Sequence, residues 1–358
     1  YRPRGVGAII APWNFPLAIF AGMTTGAIAS GNTVVCKPAS ATPVAASFFV
    51  NVLREAGLPS GVLNLLPGSG SEVGKALVGS PEVDFIAFTG SREVGLSIAR
   101  IAAQTPGRNV KQLILEMGGK NAIIIDEDAD LDEAVPGVIY SAFGYQGQKC
   151  SACSRVIVLP AIKNSFIRRF TEATKSIKVG PPEDPSNFMG PLIDEKQLRT
   201  VQNYVELGKK EAKLLLEVTD LPEEGYFHGQ VVFGDVPPFA RIAQEEIFGP
   251  VVSIIEAGDL EEALRIMNAT PYALTGGIYS RNPASIRKAM QQASVGNLYV
   301  NRPITGAVVG RQPFGGFRMS GIGSKAGGPD YLKQFMVPVT LTENTVRRGT
   351  TEITFTSS

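Results

Sequence analysis

At 358 residues the chain is long enough for two domains, each with a sizeable core. Its 34 Lys+Arg against 33 Asp+Glu leave a formal charge of +1, which argues against nucleic acid as a partner, because phosphate binding needs a basic footprint. A hydrophobic content of 44 % excludes wholesale disorder, and a single histidine, His228, excludes a two-histidine zinc site and disfavours a serine triad, so any catalytic base is expected to be a carboxylate or a lysine.

From the N-terminus, the apolar run Val6 to Ala11, closed by Pro12, predicts a buried strand, and the small apolar stretch Leu17 to Ser30 predicts a helix. Asn32 to Lys37 is a β-branched strand ended by Pro38, and Pro43 to Ala56 a helix stopped by Gly57. Val62 to Leu66 predicts a strand, followed by the Gly68-Ser69-Gly70 turn and a helix through Val78. Phe85 to Phe88 is the next strand, after which Thr89-Gly90-Ser91 opens a helix to Gln104. Strands alternating with helices predict a parallel α/β sheet covered on both faces. A second section is expected to begin at Leu113 to Leu115, with the boundary near Leu115 to Gly119. In it, Ala122 to Ile125 and Arg155 to Leu159 predict strands, and Leu131 to Tyr145, Phe166 to Ser176, Leu198 to Lys210 and Leu260 to Asn268 predict helices. Arg241 to Glu256 is broken at Phe248-Gly249-Pro250, and the Thr-rich tail after Asn344 is expected to be disordered.

Three cysteines give no disulfide framework and suit a reducing compartment, so a cytoplasmic protein is expected. No apolar run reaches the roughly 18 residues of a membrane span. Tyr1 offers neither a methionine nor a charged n-region, so the start reads as a cut into a longer chain.

Cys150, in Gly147-Gln148-Lys149-Cys150-Ser151-Ala152-Cys153, reads as a nucleophile whose thiolate is favoured by Lys149 and nearby backbone N–H groups. Taken singly, a buried small hydrophobe is the commoner role for such a residue. The Cys150-x-x-Cys153 spacing also allows a thiol–disulfide pair or half a zinc site, although the remaining cysteine, Cys36, stands in a strand. A cysteine hydrolase would need His228, which nothing marks as a base. Glu116 follows a strand and precedes Gly118-Gly119; it is a general base if desolvation raises its pKa, and otherwise a solvated turn residue. Asn14, in the two-proline loop Pro12-Trp13-Asn14-Phe15-Pro16, offers an amide to an oxyanion or belongs to a rigid turn. Gly68-Ser69-Gly70-(x)3-Gly74 and Gly90-Ser91-(x)3-Gly95 open helices and suit phosphate, without matching the three-glycine dinucleotide fingerprint. Lys37, at a strand end, suits ribose or phosphate, or a solvated cap.

These loops, together with Lys37-Pro38, Phe88-Thr89-Gly90-Ser91, Glu116-Met117-Gly118-Gly119-Lys120, Gln146-Gly147-Gln148-Lys149-Cys150, Glu245-Glu246-Ile247-Phe248-Gly249-Pro250 and Pro313-Phe314-Gly315-Gly316, resemble in order the motifs of the aldehyde dehydrogenase superfamily. The resemblance covers about Tyr1 to Thr345. It implies an aldehyde dehydrogenase-like α/β fold: a Rossmann-type cofactor-binding domain at 1–117, N-terminally incomplete, an α/β catalytic domain at 118–320, a C-terminal return and oligomerisation strand at 321–345, and a disordered tail at 346–358. It implies that Cys150 attacks the aldehyde, that Asn14 and the Cys150 N–H hold the oxyanion, and that Glu116 activates the water that hydrolyses a thioester. Trp13, Lys37, Ser40, Gly70, Gly74, Ser91, Glu246 and Phe248 are the implied cofactor residues, with Glu246 at the nicotinamide ribose, Phe248 beside the ring, Lys37 at the adenosine ribose and Ser91 at the pyrophosphate. A small-molecule substrate, a dimer-based homo-oligomer and no metal are implied.

Within the superfamily, Cys150-Ser151-Ala152, the segment from Asn301 to Gly310 and Lys325-Ala326-Gly327-Gly328-Pro329 are similar to the L-glutamate γ-semialdehyde dehydrogenases, the branch that completes proline breakdown to glutamate. That implies a substrate α-carboxylate held by Ser151 and by the backbone of Gly306 and Ala307. Arg302 and Arg311 keep a succinate-semialdehyde enzyme open, and a non-catalytic nucleotide-binding fragment is the other alternative. Three departures from the family pattern matter. Ser40 stands where NAD-selective relatives carry glutamate, so NAD is expected with NADP tolerated beside it. Cys153 replaces a small non-thiol residue and is expected either to pack or to form a reversible disulfide with Cys150. The family's beginning is missing, so apolar faces are expected to be bare, Phe335 to Leu341 to be an unpaired edge strand, and the piece alone to be poorly soluble or inactive.

Overall fold

The computed structural model describes residues 1–344; residue 345 and the tail expected at 346–358 lie outside the described residues. Two sheets carry the fold. The first has the order Gly321–Ile322, Gln112–Glu116, Phe85–Thr89, Val6–Ile10, Thr33–Lys37, Leu63–Leu65. All its pairs are parallel except Gly321–Ile322 against Gln112–Glu116. Alternate residues of each strand enter opposite cores, as the pleat requires. Ile9, Phe85 and Ala87 pack with the helices Ala18–Ala29 and Pro43–Glu55, while Ala8, Ile86 and Phe88 pack with Ile98 and Ala102 of the helix Arg92–Gln104. Burial on both faces explains why these strands are continuous apolar runs in the sequence.

Gln112–Glu116 pairs in register with Phe85–Thr89, bringing Glu116 opposite Thr89. This corrects the expectation that Leu113 opens a second section: Ile114 and Leu115 complete the two cores of the first sheet. The chain moves outward from Val6–Ile10 to Leu63–Leu65 and then returns to Phe85–Thr89 on the other side. At that reversal the loops leaving Val6–Ile10 and Phe85–Thr89 diverge, opening a crevice at their carboxyl ends.

The second sheet has the order Asn297–Val300, Thr275–Tyr279, Asn121–Ile125, Cys153–Val158, Val251–Glu256, Val231–Gly234, Lys213–Glu217, parallel except for the last pair. Ile123, Ile125, Val156 and Val158 face the helices Leu131–Phe143 and Pro160–Lys175. Ala122, Ile124 and Ile157 face Glu195–Glu211 and Leu260–Asn268. The helix expected to reach Tyr145 ends at Phe143, because Tyr145 and Gln146 turn left-handed (φ 62° and 57°) on the way to Cys150.

The C-terminal segment departs from expectation as well. Phe335 is not part of an edge strand; it closes the 3₁₀ turn Leu332–Phe335 and is fully buried, edge-on to Phe85 at 5.7 Å and to Tyr331 at 5.4 Å. Met336–Val337 is paired antiparallel with Arg2–Pro3. The aromatic anchor and that ladder hold the segment against the first sheet. Val44 and Phe48, on the helix Pro43–Glu55, are exposed. Among the described residues no helix is long and apolar enough to cross a membrane.

Candidate active site

Cys150 sits where two cavities meet. One, of about 280 Å³, occupies the crevice at the strand ends and is walled by Trp13, Asn14, Ser91, Gly118, Glu246 and Phe248. The other, of about 460 Å³ and mostly apolar, runs along the helix Ala18–Ala29 to Glu116, Phe314 and Tyr331. Both reach the cysteine.

The loop that presents Cys150 is fixed from two sides. Asn14 donates from Nδ2 to the carbonyl of Gln148 (3.0 Å). Asn121, at the start of its strand, donates to the carbonyls of Cys150 (2.7 Å) and Ala152 (2.9 Å), while its Oδ1 accepts from the Thr275 N–H (3.0 Å). A buried amide with three such bonds sets the loop's geometry.

Burial pushes the Cys150 thiol up to about 12, and the charges of Glu246 and Glu116 push the same way against the N–H groups of Ser151 and Cys150. Lys149, expected to favour the thiolate, is coupled to Cys150 by charge, but its ammonium lies over the Tyr140 ring at 5.2 Å and is itself disfavoured by burial, which outweighs that coupling. Burial also pushes the Glu116 carboxyl up to about 8, opposed by the Gly316 N–H and by Lys325, and its Oε2 has no hydrogen-bond partner. Glu246 is raised to about 7 by burial, opposed by the N–H of Gly119, which donates to Oε1 at 2.9 Å, and by Lys120 and Arg92. A Cβ on Gly118 would stand 2.0 Å from Glu246 Oε2, so a larger residue there would displace that carboxylate.

Trp13 and Phe248 meet edge to face at 5.6 Å, and Phe248 is held left-handed (φ 59°), a strained state for a bulky residue. Ser91 lines the first cavity, where its Oγ caps the helix Arg92–Gln104 by accepting the Val94 N–H (3.3 Å). Lys37, Ser40, Gly70 and Gly74 form a separate group outside that cavity. Lys37 Nζ donates to the carbonyls of Pro38 (2.9 Å) and Gly68 (3.0 Å), and Ser40 Oγ to that of Gly68 (3.2 Å). The turn Gly70–Gly74 is a π-helical turn that leads into Lys75–Val78, rather than the regular helix start expected there.

Ser151, Gly306 and Ala307 line neither cavity, although Val309 of the same loop lines the second. Ser151 is buried, and its carbonyl accepts from Thr275 Oγ1 (3.3 Å). Gly306 is exposed and left-handed (φ 77°). Cys153 is a buried free thiol that donates to the Arg155 carbonyl (3.3 Å). His228 is half-buried with Nδ1 2.8 Å from the Gly229 carbonyl, and lines neither cavity.

Sequence reasoning missed Gln197, on the helix Glu195–Glu211. It lines the first cavity and holds the Phe248 loop by donating to the carbonyls of Ile247 (3.0 Å) and Phe248 (2.9 Å). No local signal marks it. It also missed Asn121, which stands next to the quoted Gly118-Gly119-Lys120 motif. Lys120 was likewise overlooked as a buried cation: its Nζ has no partner, and burial lowers it to about 7. Among the described residues no group of His, Cys, Asp or Glu is placed to hold a metal ion.

Comparison with known proteins agrees with this architecture. The chain is 53 % identical over 345 residues to the 1-pyrroline-5-carboxylate dehydrogenase of Geobacillus sp. (strain WCH70), covering 96 % of this chain and 67 % of that one. Among solved structures it is similar to proline utilization A from Bdellovibrio bacteriovorus inactivated by N-propargylglycine (TM-score 0.96, 56 % identity, 98 % of this chain and 36 % of that one). It is also similar to 1-pyrroline-5-carboxylate dehydrogenase from Thermus with bound NAD (TM-score 0.91, 50 % identity, 93 % of this chain). The chain thus spans 36 % and 65 % of the lengths of those two solved chains. With residues 1–341 matching the family, and a thiol, a carboxylate and an amide gathered at one crevice, the chain belongs to the aldehyde dehydrogenase family.

Proposed function

We propose that this chain oxidises L-glutamate γ-semialdehyde to L-glutamate with NAD, and with NADP as a tolerated alternative, through a thiohemiacetal and a thioester on Cys150. The observation that carries the reading is the single thiol shared by two cavities, one shaped by the strand-end crevice and the other containing Glu116. The substrate assignment is supported by the relatives that bear the name 1-pyrroline-5-carboxylate dehydrogenase, and the cofactor by the Thermus structure with bound NAD. The residues present fit that cofactor: the crevice lies at the sheet's reversal, the helix Arg92–Gln104 starts beside it, and Gly118 lets the Glu246 carboxylate lie against the backbone at its wall.

When bound, the nicotinamide supplies the hydride acceptor. The remaining steps belong to this chain's own residues. Cys150 loses its proton to Glu116, and its sulfur bonds to the aldehyde carbon. The resulting oxyanion is held by the Cys150 N–H and the second amide hydrogen of Asn14, the first being bonded to Gln148. After hydride loss a thioester remains. Glu116, having released its proton, takes one from water as the water oxygen attacks the thioester; the C–S bond breaks and the acid departs.

Glu246, Phe248 and Trp13 face the nicotinamide end in this reading, with Ser91 at the pyrophosphate and Lys37, Ser40, Gly70 and Gly74 at the adenosine end. Ser151, Gly306 and Ala307 hold the substrate α-carboxylate. We read residues 1–117 as the cofactor domain, 118–320 as the catalytic domain and 321–345 as the return and oligomerisation segment. The first assignment is supported by the two sheets, which part after Glu116. A cytoplasmic homo-oligomer is the accompanying reading, its reducing compartment supported by the three free cysteines.

The test is reduction of NAD and NADP with L-glutamate γ-semialdehyde and, in parallel, with succinate semialdehyde. Turnover of the former that is lost in Cys150→Ala supports the proposal. Preference for succinate semialdehyde, or turnover that persists in Cys150→Ala, rejects it.

A further inference from the structure

Lys325 stands in a wall between two cavities. Phe314 and Ala326 exchange two backbone hydrogen bonds (2.9 and 2.7 Å), forming a short antiparallel bridge. On one side Phe314, Ser324 and Ala326 line the apolar cavity that contains Glu116. On the other, Pro313 and Lys325 line an open cavity of about 520 Å³ with Asn297, Arg302 and Gln312. Gly315 lies between the two. A Cβ there would be 3.0 Å from Glu116 Oε1 and 3.4 Å from Lys325 Cγ, so the carboxylate and the lysine stem bracket one glycine. The Lys325 ammonium donates to the Gly296 carbonyl and to Asn297 Oδ1 (3.2 Å), and Asn297 donates in turn to the Pro313 carbonyl (3.0 Å). These acceptors are neutral, and among the described residues no carboxylate pairs with the ammonium, whose charge acts on Glu116 from across Gly315.

We infer that Lys325 is a positioning residue for Glu116: from across Gly315 its cation fixes the charge on the base and keeps the carboxylate ionised when it meets water. The charged and titratable groups facing Glu116 among the described residues are Lys325, Cys150 and Tyr331, and only Lys325 brings positive charge. Burial drives Glu116 toward its neutral form and Lys325 opposes this, while Glu116 favours the charged lysine in return. The inference rests on the reading of Glu116 as the base.

The experiment uses the full chain with three variants. Lys325→Gln keeps a hydrogen-bonding end for Gly296 without the charge, Lys325→Met removes both, and Lys325→Arg keeps the charge. The Glu116 carboxyl is titrated by infrared difference spectroscopy against Glu116→Gln, and the pH profile of p-nitrophenyl acetate hydrolysis is followed in parallel. Loss of the cation is expected to move both the titration and the acid limb up by about one pH unit, a tenfold lower rate below the limb, with Lys325→Arg returning to wild type. Should Lys325→Gln not fold, Lys325→Met carries the same expectation. Coincident titrations in the neutral variants and wild type overturn the inference, whether or not the protein turns over. A titration that shifts in the neutral variants, while the unsubstituted chain turns over neither ester nor aldehyde, keeps the influence of Lys325 on the Glu116 charge and overturns the proposed function instead.

Discussion

Burial pushes the Glu116 carboxyl toward its neutral form, up to about 8, yet it works as a base only when ionised. The hydrolytic step is therefore expected to speed up as pH rises through about 8, and Glu116→Gln to stall with an acyl group on Cys150 that intact-mass spectrometry detects. The same shift has a stability consequence. The folded state binds this proton more tightly than the unfolded chain, whose ordinary value is 4.5, so stability is lost as pH climbs from 4.5 towards about 8. Glu116→Gln is expected to flatten that slope, melting closer to wild type in acid and above it in alkali; parallel melting curves across pH would contradict this. Asn14→Ala removes an amide aimed at the oxyanion and is expected to lower kcat by about 10²–10³, roughly 3–4 kcal/mol, with little change in KM.

At the scale of elements, the loop between Gly144 and Cys153 is held by few bonds, of which those from Asn121 are central. Asn121→Ala leaves two carbonyls without their donor, an expected cost of about 1–3 kcal/mol in Tm measurements and a kcat loss larger than that cost alone explains. Much of this level was legible in the sequence. The strands of the first sheet are punctuated by proline and glycine; Asn14 and Cys150 occupy loops that follow an apolar strand or helix, and Glu116 is the last residue of its strand. The sequence was silent where placement depends on distant neighbours. Thr275–Tyr279, with Gly276 and Gly277, lacks an apolar alternation of its own and becomes a central strand because Asn121–Ile125 and Asn297–Val300 flank it. Gln197 carries no motif, and its role arises only when its helix packs beside Phe248. Lys149 is charge-coupled to Cys150 as its adjacency suggests, but adjacency in sequence says nothing of burial, which outweighs that coupling.

For the molecule as a whole, the candidate site draws on residues from Asn14 to Lys325, so cofactor grip and chemistry are set far apart in the chain. Ser40, bonded to Gly68, adds no charge at the proposed adenosine end, and the NAD/NADP ratio of kcat/KM is expected to stay below about a thousandfold, roughly 4 kcal/mol, rising in Ser40→Glu. The two ends of the described fold are also joined: Asn32 donates to the Phe335 carbonyl (3.0 Å) and Arg4 to that of Gln334 (2.8 Å). Phe335→Ala is expected to cost about 3–5 kcal/mol and to lower a single cooperative melting transition. The pairing of Glu116's strand with Gly321–Ile322 also sets an order of events during synthesis. On the ribosome the first sheet stays open at that edge until the residues beyond 320 have emerged, however early its other strands are made. A nascent chain halted before Gly321 should be cut readily by protease, and one extended past Val337 should resist, so that the site is completed only once the Gly321 to Val337 segment has emerged.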